Sequence, residues 1–327
     1  MASVKISVII PTYRRPALLQ KCLEAIVAQT YPTGLFEVIV VSDGPDAETQ
    51  ALMAQITKRD PAMHLTFQSA PERRGPAAVR NIGWRKSSGE LVVFTDDDCI
   101  PSIHWLEEYW QAYKQAGRVD VAFTGKVEVP VPDRPTDYEK NVAHLATAEF
   151  ITANCACTRL ALELTGGFDE DFPTAWREDS DLHFKLLKKR VPIIHADRAV
   201  VCHPVRKAFW GVSISDQRKS MFNALLFKKH PGFYRQKIHA APVWSYYVII
   251  LSSIVALIAW IAGADSVFAA AGIVWLASIA WFIARRLRGT NESLSHRLEM
   301  VITSLLIPYL SVYWTLRGAW RYKVLFL

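Results

Sequence analysis

Three acidic clusters in this 327-residue chain have types and spacings that could do chemistry. Thr95-Asp96-Asp97-Asp98 follows directly on the apolar run 91–94. Side chains alternate along an extended backbone, so Asp96 and Asp98 should point one way and Asp97 the other. Three carboxylates at one strand end repel one another unless a cation or several donors neutralise them. A Mg2+ or Mn2+ ion on one or two of these carboxylates, its shell completed by diphosphate oxygens, supplies that neutralisation. A solvated acidic turn is the plainer reading, and the hydrophobic strand leading in favours the metal site. In Val40-Val41-Ser42-Asp43-Gly44 a second strand ends in a carboxylate and a glycine. Asp43 can accept from a base or ribose donor, although Asp-Gly is also an ordinary turn. Arg177-Glu178-Asp179-Ser180-Asp181 opens a helix, where unpaired N–H groups and the dipole favour acids. Three acids in four residues exceed what capping needs, which leaves one to act as general base, a role worth roughly 10²–10⁴ in rate.

These clusters need elements to hold them. Short apolar runs at 4–10, 36–41, 65–68 and 91–95 alternate with helical patterns at 17–29, 48–59 and 77–87. Such alternation argues for an α/β fold with a parallel, doubly wound sheet and ligands at the carboxyl ends of its strands. After Pro101 the pattern predicts a helix at 105–116, a strand at 121–129 and a proline-rich loop at 130–135. A strand at 153–157, a short helix at 159–164, a turn at Gly166-Gly167-Phe168 and a helix at 178–189 follow.

Composition narrows the class. Apolar residues make up 51% and charged residues 21%, which excludes a mainly disordered or coiled-coil chain. The net charge of +7 is uneven: residues 1–181 carry −8, residues 182–237 carry +11 and residues 238–327 carry +4. A basic block just before a long apolar run suits an anionic membrane surface, where each basic residue contributes about 1 kcal/mol. No zinc-finger, K-homology or RNA-recognition pattern accompanies it, so no nucleic-acid partner is expected. The five cysteines are scattered and include no CxxC pair, so neither a disulfide framework nor a zinc ribbon is expected. Residues 7–10 are too short an apolar run for a signal peptide and read as the first strand.

The apolar stretches 243–261 and 267–284 are each long enough to cross ~30 Å of hydrocarbon. Gly263-Ala264-Asp265-Ser266 turns between them. Lys228, Lys229, Arg235 and Lys237 on one flank and Arg285, Arg286 and Arg288 on the other place both ends in the cytoplasm. Residues 300–316 form a shorter stretch with Pro308, followed by Arg317, Arg321 and Lys323. An amphipathic or re-entrant segment in the cytoplasmic interface fits those charges.

Taken in order, the motifs resemble glycosyltransferase family 2, inverting enzymes of GT-A fold, over about residues 4–235. Ser7-Val8-Ile9-Ile10-Pro11-Thr12-Tyr13 is similar to the family's opening nucleotide-binding strand, with Arg14 next in line. Ser42-Asp43-Gly44 resembles its Asp-Asp-Gly-Ser element, with Ser42 in place of the first Asp and Asp43 left as the base-contacting candidate. Gly75-Pro76-Ala77-Ala78-Val79-Arg80-Asn81 resembles its Ala-Arg-Asn segment, which implies that Arg80 approaches the diphosphate. Asp96-Asp97-Asp98 matches the metal-binding Asp-x-Asp, implying Asp98 as direct ligand beside Asp96, with Asp97 on the nucleotide-sugar side. Asn154 and Gly166-Gly167-Phe168-Asp169-Glu170 resemble the acceptor-side segment before the Glu-Asp motif, here Glu178-Asp179 with Asp179 as base. His203 falls where some relatives place an additional metal ligand, though a lone His beside Pro204 is also an ordinary loop residue.

The resemblance implies a GT-A domain over residues 1–237 (a Rossmann-like mixed sheet with flanking helices), a transmembrane helical hairpin over 238–285 and an interfacial basic tail over 286–327. It implies a Mg2+- or Mn2+-dependent enzyme that moves a sugar from a nucleotide-diphosphate donor, UDP being expected, to a hydroxyl of a lipid-linked saccharide or glycolipid. The catalytic domain would face the cytoplasmic leaflet of the inner membrane of a bacterium, in cell-surface polysaccharide assembly. A polyprenyl-phosphate glycosyltransferase is the nearest alternative, but its acceptor is already ionised and needs no base such as Asp179. A catalytically inactive nucleotide-sugar-binding scaffold is the non-enzymatic alternative.

Overall fold

The computed structural model describes residues 3–326. The described residues divide into two compact units, one running up to Pro130 and resuming over Ala143–Val205, the other formed by Val131–Val142 with the residues from Arg206 onward.

The first unit is built on an eight-stranded sheet. β1 (Ile6–Thr12) is buried along its whole length, and period-two alternation splits its side chains between two cores. Ile6, Val8 and Ile10 pack into one core, with Leu19, Leu23, Trp105 and Tyr109. Ile9 packs into the other, with Val41, Trp84, Phe94 and Leu182. Full burial of each such side chain contributes roughly 1.5–3 kcal/mol. The elements then follow as α1 (Pro16–Val27), β2 (Phe36–Ser42), α2 (Ala47–Arg59), β3 (His64–Ser69), α3 (Pro76–Lys86) and β4 (Leu91–Phe94). After them come β5 (Ile100–Pro101), α4 (Trp105–Ala116), β6 (Ala122–Glu128), β7 (Cys155–Thr158), α6 (Arg159–Thr165), α7 (Glu178–Lys188) and β8 (Ile193–Cys202), while α5 (Asp137–Ala143), which lies between β6 and β7 in the chain, falls almost wholly in the second unit. The strand order is β3-β2-β1-β4-β7-β6-β8-β5.

Strand–helix alternation predicts the parallel half, β3-β2-β1-β4, in which every pair is parallel. The other half is mixed, because β7 runs antiparallel to both β4 and β6. β8 is a strand that periodicity does not announce, since Asp197 and Arg198 interrupt its apolar run. It pairs in parallel with β6, in register through Gly125↔Ala196 and again from Lys126↔Val200, so 197–199 bulge out of the ladder. Its far end pairs antiparallel with β5, Ile100 opposite Cys202.

The second unit holds α8 (Val212–Asp216), α9 (Met221–Lys229), α10 (Pro231–Lys237), α11 (Trp244–Ile261), α12 (Asp265–Leu287) and α13 (Leu294–Arg321). The last three are long and apolar enough to cross a membrane. α11 ends in a Schellman turn: Gly263 takes φ +68°, Ala264 N–H donates to the Ala259 carbonyl and Gly263 N–H to that of Trp260. This is the hairpin turn expected between the two apolar stretches. The third stretch differs from expectation. Instead of a short segment at 300–316, α13 is one continuous 28-residue helix with Pro308 inside it, so it is not a re-entrant loop. Residues 131–142 are stitched to the ends of α12 and α13. The buried Arg286 guanidinium donates to Asp137 at 2.8 Å, to Thr303 at 2.6 Å and to Ser304 at 3.0 Å.

Candidate active site

Four strand ends (β1, β2, β4 and β8) and the two helices α3 and α7 of the first unit supply the predicted site residues. β4 stops at Phe94, and residues 97–98 form a turn in which Cys99 N–H donates to the Asp96 carbonyl at 3.1 Å. The extended alternation expected for the triplet is therefore absent, and each carboxylate turns to a different neighbour. Asp96 accepts from Arg80 Nη2 at 2.6 Å. Asp97 accepts from the Thr12 hydroxyl at 2.7 Å and faces Arg15 at 3.5 Å. Asp98 lies 3.6 Å from His203 Nε2. Burial pushes Asp97 up to about 6, with Asp98 and Asp96 adding to the rise against Thr12 and Arg15.

The sheet places His203. β5 begins one residue after Cys99 and pairs with the end of β8, so the residue after Cys202 arrives beside Asp98. The His203 N–H is fixed by the Glu128 carbonyl at 2.8 Å. Its buried Nδ1 has no hydrogen-bond partner among the described residues. Asp98, Cys99 and His203 bring one ligand atom each to within 4.8 Å of one another. Ligands about 2.1 Å from an octahedral ion sit about 3 Å apart, so the Asp98–His203 spacing suits a shared divalent ion. Cys99 does not suit Mg2+ or Mn2+, which take oxygen ligands, whereas a soft thiolate selects other metals.

Arg80 joins the two acidic clusters. It is only 2% exposed and donates through Nη2 to Asp96 and through Nη1 to Glu178 at 3.1 Å. Burial disfavours its charge, but Asp96 and Glu178 more than offset this and its pKa rises. Both terminal nitrogens are thus engaged with carboxylates, where the motif implies a diphosphate contact.

α7 starts at Glu178 behind Arg177, a non-glycine residue at φ +77°. Glu178 is buried, and burial followed by the charge of Asp179 pushes it up to about 7, against the pull of Arg80. Asp179 is half-buried, accepts from Ser180 N–H at 2.6 Å and is also raised, by burial first. Asp181 is fully buried and faces Lys185 at 2.8 Å.

On the other side of the triplet, Asp43 accepts from the backbone N–H groups of Arg74 at 2.7 Å and Gly75 at 3.0 Å. Gly75 needs its lack of a side chain: it sits at φ +93°, and a Cβ there would be 2.3 Å from the Pro173 carbonyl oxygen. Arg73, from the same loop, lies over the Tyr13 ring at 4.5 Å, while Arg14 N–H donates to Asp46 at 3.0 Å. Pro11 and Thr12 are buried at the end of β1.

Asn81, which the motif contains without a stated role, latches the Gly166–Glu170 turn to α3. Its Nδ2 donates to the Phe168 carbonyl at 2.9 Å and to Glu170 at 2.8 Å, and its Oδ1 accepts from Phe168 N–H and Trp84 Nε1. Asn154, by contrast, does not line an acceptor site. It is fully buried, accepts from Trp105 and Tyr109, and donates to the Lys126 and Ala199 carbonyls.

A family profile, "Glycosyl transferase family 2", matches residues 7–159. The chain is 30% identical over 208 residues to Glycosyltransferase AglE of Haloferax volcanii, covering 62% of this chain and 67% of that one. It is 34% identical over 94 residues to the GalNAc(5)-diNAcBac-PP-undecaprenol beta-1,3-glucosyltransferase of Campylobacter jejuni, covering 29% of each chain. Among solved structures, the mannosyltransferase PcManGT from Pyrobaculum calidifontis, in complex with GDP-Man and Mn2+, shares the fold. The TM-score is 0.54 at 23% identity, over 98% of this chain and 85% of that one.

Proposed function

Because the chain belongs to glycosyl transferase family 2, and is accordingly a nucleotide-sugar-dependent glycosyltransferase, we propose that it is a membrane-held, metal-assisted inverting enzyme. It would transfer a sugar from a UDP-linked donor to a hydroxyl of a lipid-linked saccharide or glycolipid. The observation that carries this reading is the Arg80 bridge, which ties the Asp96–Asp98 turn to the Glu178-Asp179 pair. A donor group beside one would lie within reach of a base on the other.

In this reading Asp98 and His203, with Asp96 adjacent, hold a divalent ion. A carboxylate with an imidazole suits Mn2+ better than Mg2+. The ion, when bound, would offset the negative charge that builds on the departing nucleotide diphosphate. Asp179 takes the acceptor hydroxyl's proton as that oxygen attacks the anomeric carbon opposite the leaving group. Its raised pKa makes it a stronger base than an ordinary aspartate. Glu178, buried and held by Arg80, fixes the helix start that presents Asp179. Arg80 is a positioning residue. Tyr13, Arg14 and the loop that Asp43 holds flank the nucleotide, and the Thr12 hydroxyl holds Asp97.

Membrane attachment is supported by three long apolar helices, and a lipid-linked acceptor by the name of the Campylobacter relative. We assign the span to α11 and α12 and place α13 along the interface, on the same side as the catalytic unit. Polar residues accompany α13 over most of its length. Gly211 N–H donates to Glu299 at 2.7 Å, Arg286 binds Thr303 and Ser304 and Arg218 lies over Trp314 at 5.9 Å. A Cβ on Gly318 would be 2.4 Å from the Met221 carbonyl oxygen. A helix whose middle lay at the bilayer midplane would take those partners into hydrocarbon.

The test is thermal stabilisation of the full chain in detergent by UDP, GDP, dTDP and CMP, each with and without Mn2+. One nucleotide is expected to stabilise, only with the metal, and the effect is expected to vanish in Asp98→Ala. No shift with any nucleotide at millimolar concentration would overturn the metal-assisted nucleotide-sugar reading of this site.

A further inference from the structure

The turn after β4 and the end of β8 bring three kinds of donor atom to one place. A carboxylate oxygen of Asp98, the Cys99 sulfur and a ring nitrogen of His203 all lie within 4.8 Å of one another. The three residues are buried, Cys99 completely. Backbone hydrogen bonds fix two of them, Cys99 N–H on the Asp96 carbonyl and His203 N–H on that of Glu128. His203 turns Nε2 towards Asp98 at 3.6 Å, beyond an ordinary hydrogen bond. Its buried Nδ1 has no hydrogen-bond partner among the described residues. A neutral imidazole keeps one bare ring nitrogen, and at Nε2 that lone pair faces the carboxylate and the thiol.

Spacing and softness decide which ion such a set takes. Tetrahedral zinc, with bonds of about 2.0–2.3 Å, holds its ligand atoms about 3.3–3.6 Å apart. Around an octahedral ion they sit about 3 Å apart. The Asp98–His203 separation of 3.6 Å matches the tetrahedral value. Thiolate and imidazole favour Zn2+, whereas Mn2+ stands at the weak end of the divalent series for a given site. We propose that Cys99 makes this a Zn2+ site, and that Zn2+ on Asp98, Cys99 and His203 inhibits the enzyme. On binding, the Cys99 thiol loses its proton to solvent and the thiolate joins the ion. Three protein ligands leave a tetrahedral ion one open position, too few for a chelating diphosphate. An octahedral Mn2+ on Asp98 and His203 keeps several. The inhibition rests on the function proposed above; the metal site rests on these three residues alone. His203 Nδ1 lacks the outer partner that ligating imidazoles carry, which is worth about 10–100-fold in affinity. A chelator should therefore remove the ion.

The experiment uses Co2+ as a visible probe for the Zn2+ position, on the full chain in detergent without nucleotide. Tetrahedral coordination by a thiolate is expected to give a sulfur-to-cobalt charge-transfer band and strong visible d–d bands. An equimolar amount of Zn2+ should bleach them, and excess Mn2+ should not. The bands should vanish in Cys99→Ser, which keeps the side chain's size, and persist in Cys202→Ser, which alters the thiol next to His203. Cys99→Ala serves if the serine variant does not fold. Absence of the thiolate band in the parent chain, or its survival in a folded Cys99 variant, overturns the site. Inhibition is read as the thermal shift given by UDP with Mn2+. Zn2+ should abolish that shift in the parent chain, a chelator followed by Mn2+ should restore it, and Cys99→Ser should keep it in the presence of Zn2+. A shift that Zn2+ leaves unchanged, with the cobalt bands present, overturns the inhibition. No shift with Mn2+ alone, with the cobalt bands present, removes the inhibition together with the catalytic reading and leaves the metal site standing.

Discussion

Arg80 shows how a residue read from a motif acquires its role from its neighbours. Its charge, buried and shared between Asp96 and Glu178, leaves Asp179 as the more accessible acid of the pair. Asp179→Asn should cut turnover by roughly 10²–10⁴ while nucleotide-dependent stabilisation persists, measured as kcat beside a thermal shift. Equal loss of both would make Asp179 a binding residue. Glu178 carries a pH signature. Its pKa is raised from 4.5 to about 7 by burial and then by Asp179, so the folded state binds a proton more tightly than the unfolded one. Its contribution to stability is full below the unfolded value and is lost as pH rises through about 7. Glu178→Gln, which keeps an acceptor for Arg80, should flatten the fall in Tm between pH 5 and 8. An unchanged slope would assign that fall to another group.

Among the elements, the mixed half of the sheet does the positioning. β7 enters antiparallel, and the β5–β8 pairing delivers His203 to Asp98. The join between these strands and α4 rests on Asn154, whose amide satisfies Trp105, Tyr109 and two carbonyls. Gly125 leaves room for it, since a Cβ there would be 2.4 Å from Asn154 Nδ2. Asn154→Ala strands several buried groups at about 1–3 kcal/mol each, so Tm should drop sharply in a thermal melt. A variant within a degree of the parent would show that the network carries little. Asn154 is legible in the sequence as a polar residue beside an apolar run, but residue type alone does not separate a core amide from an acceptor-binding one.

At the scale of the whole chain, the basic helices 206–237 cluster with the apolar ones, and α13 is tied to them by polar contacts. If α11 and α12 span and α13 does not, residues 265 and 325 lie on opposite sides of the membrane. Asp265→Cys should react with an impermeant maleimide in intact cells, and Leu325→Cys only after permeabilisation. Labelling of both in intact cells would make α13 a third span.

The parallel half of the sheet, the helix starting at Glu178 and the apolar hairpin were legible in the sequence. Each depends on local periodicity or on a run of one residue type, which a linear pattern carries directly. The acidic motifs were legible for the same reason, and the family follows from their order. The sequence did not reveal β8, because its apolar run is broken where three residues bulge. Nor did it reveal the separate partners of Asp96, Asp97 and Asp98, the engagement of Arg80 with two carboxylates or the core role of Asn154. Those depend on which side chains a mixed sheet brings together across tens of residues, and only tertiary structure decides them.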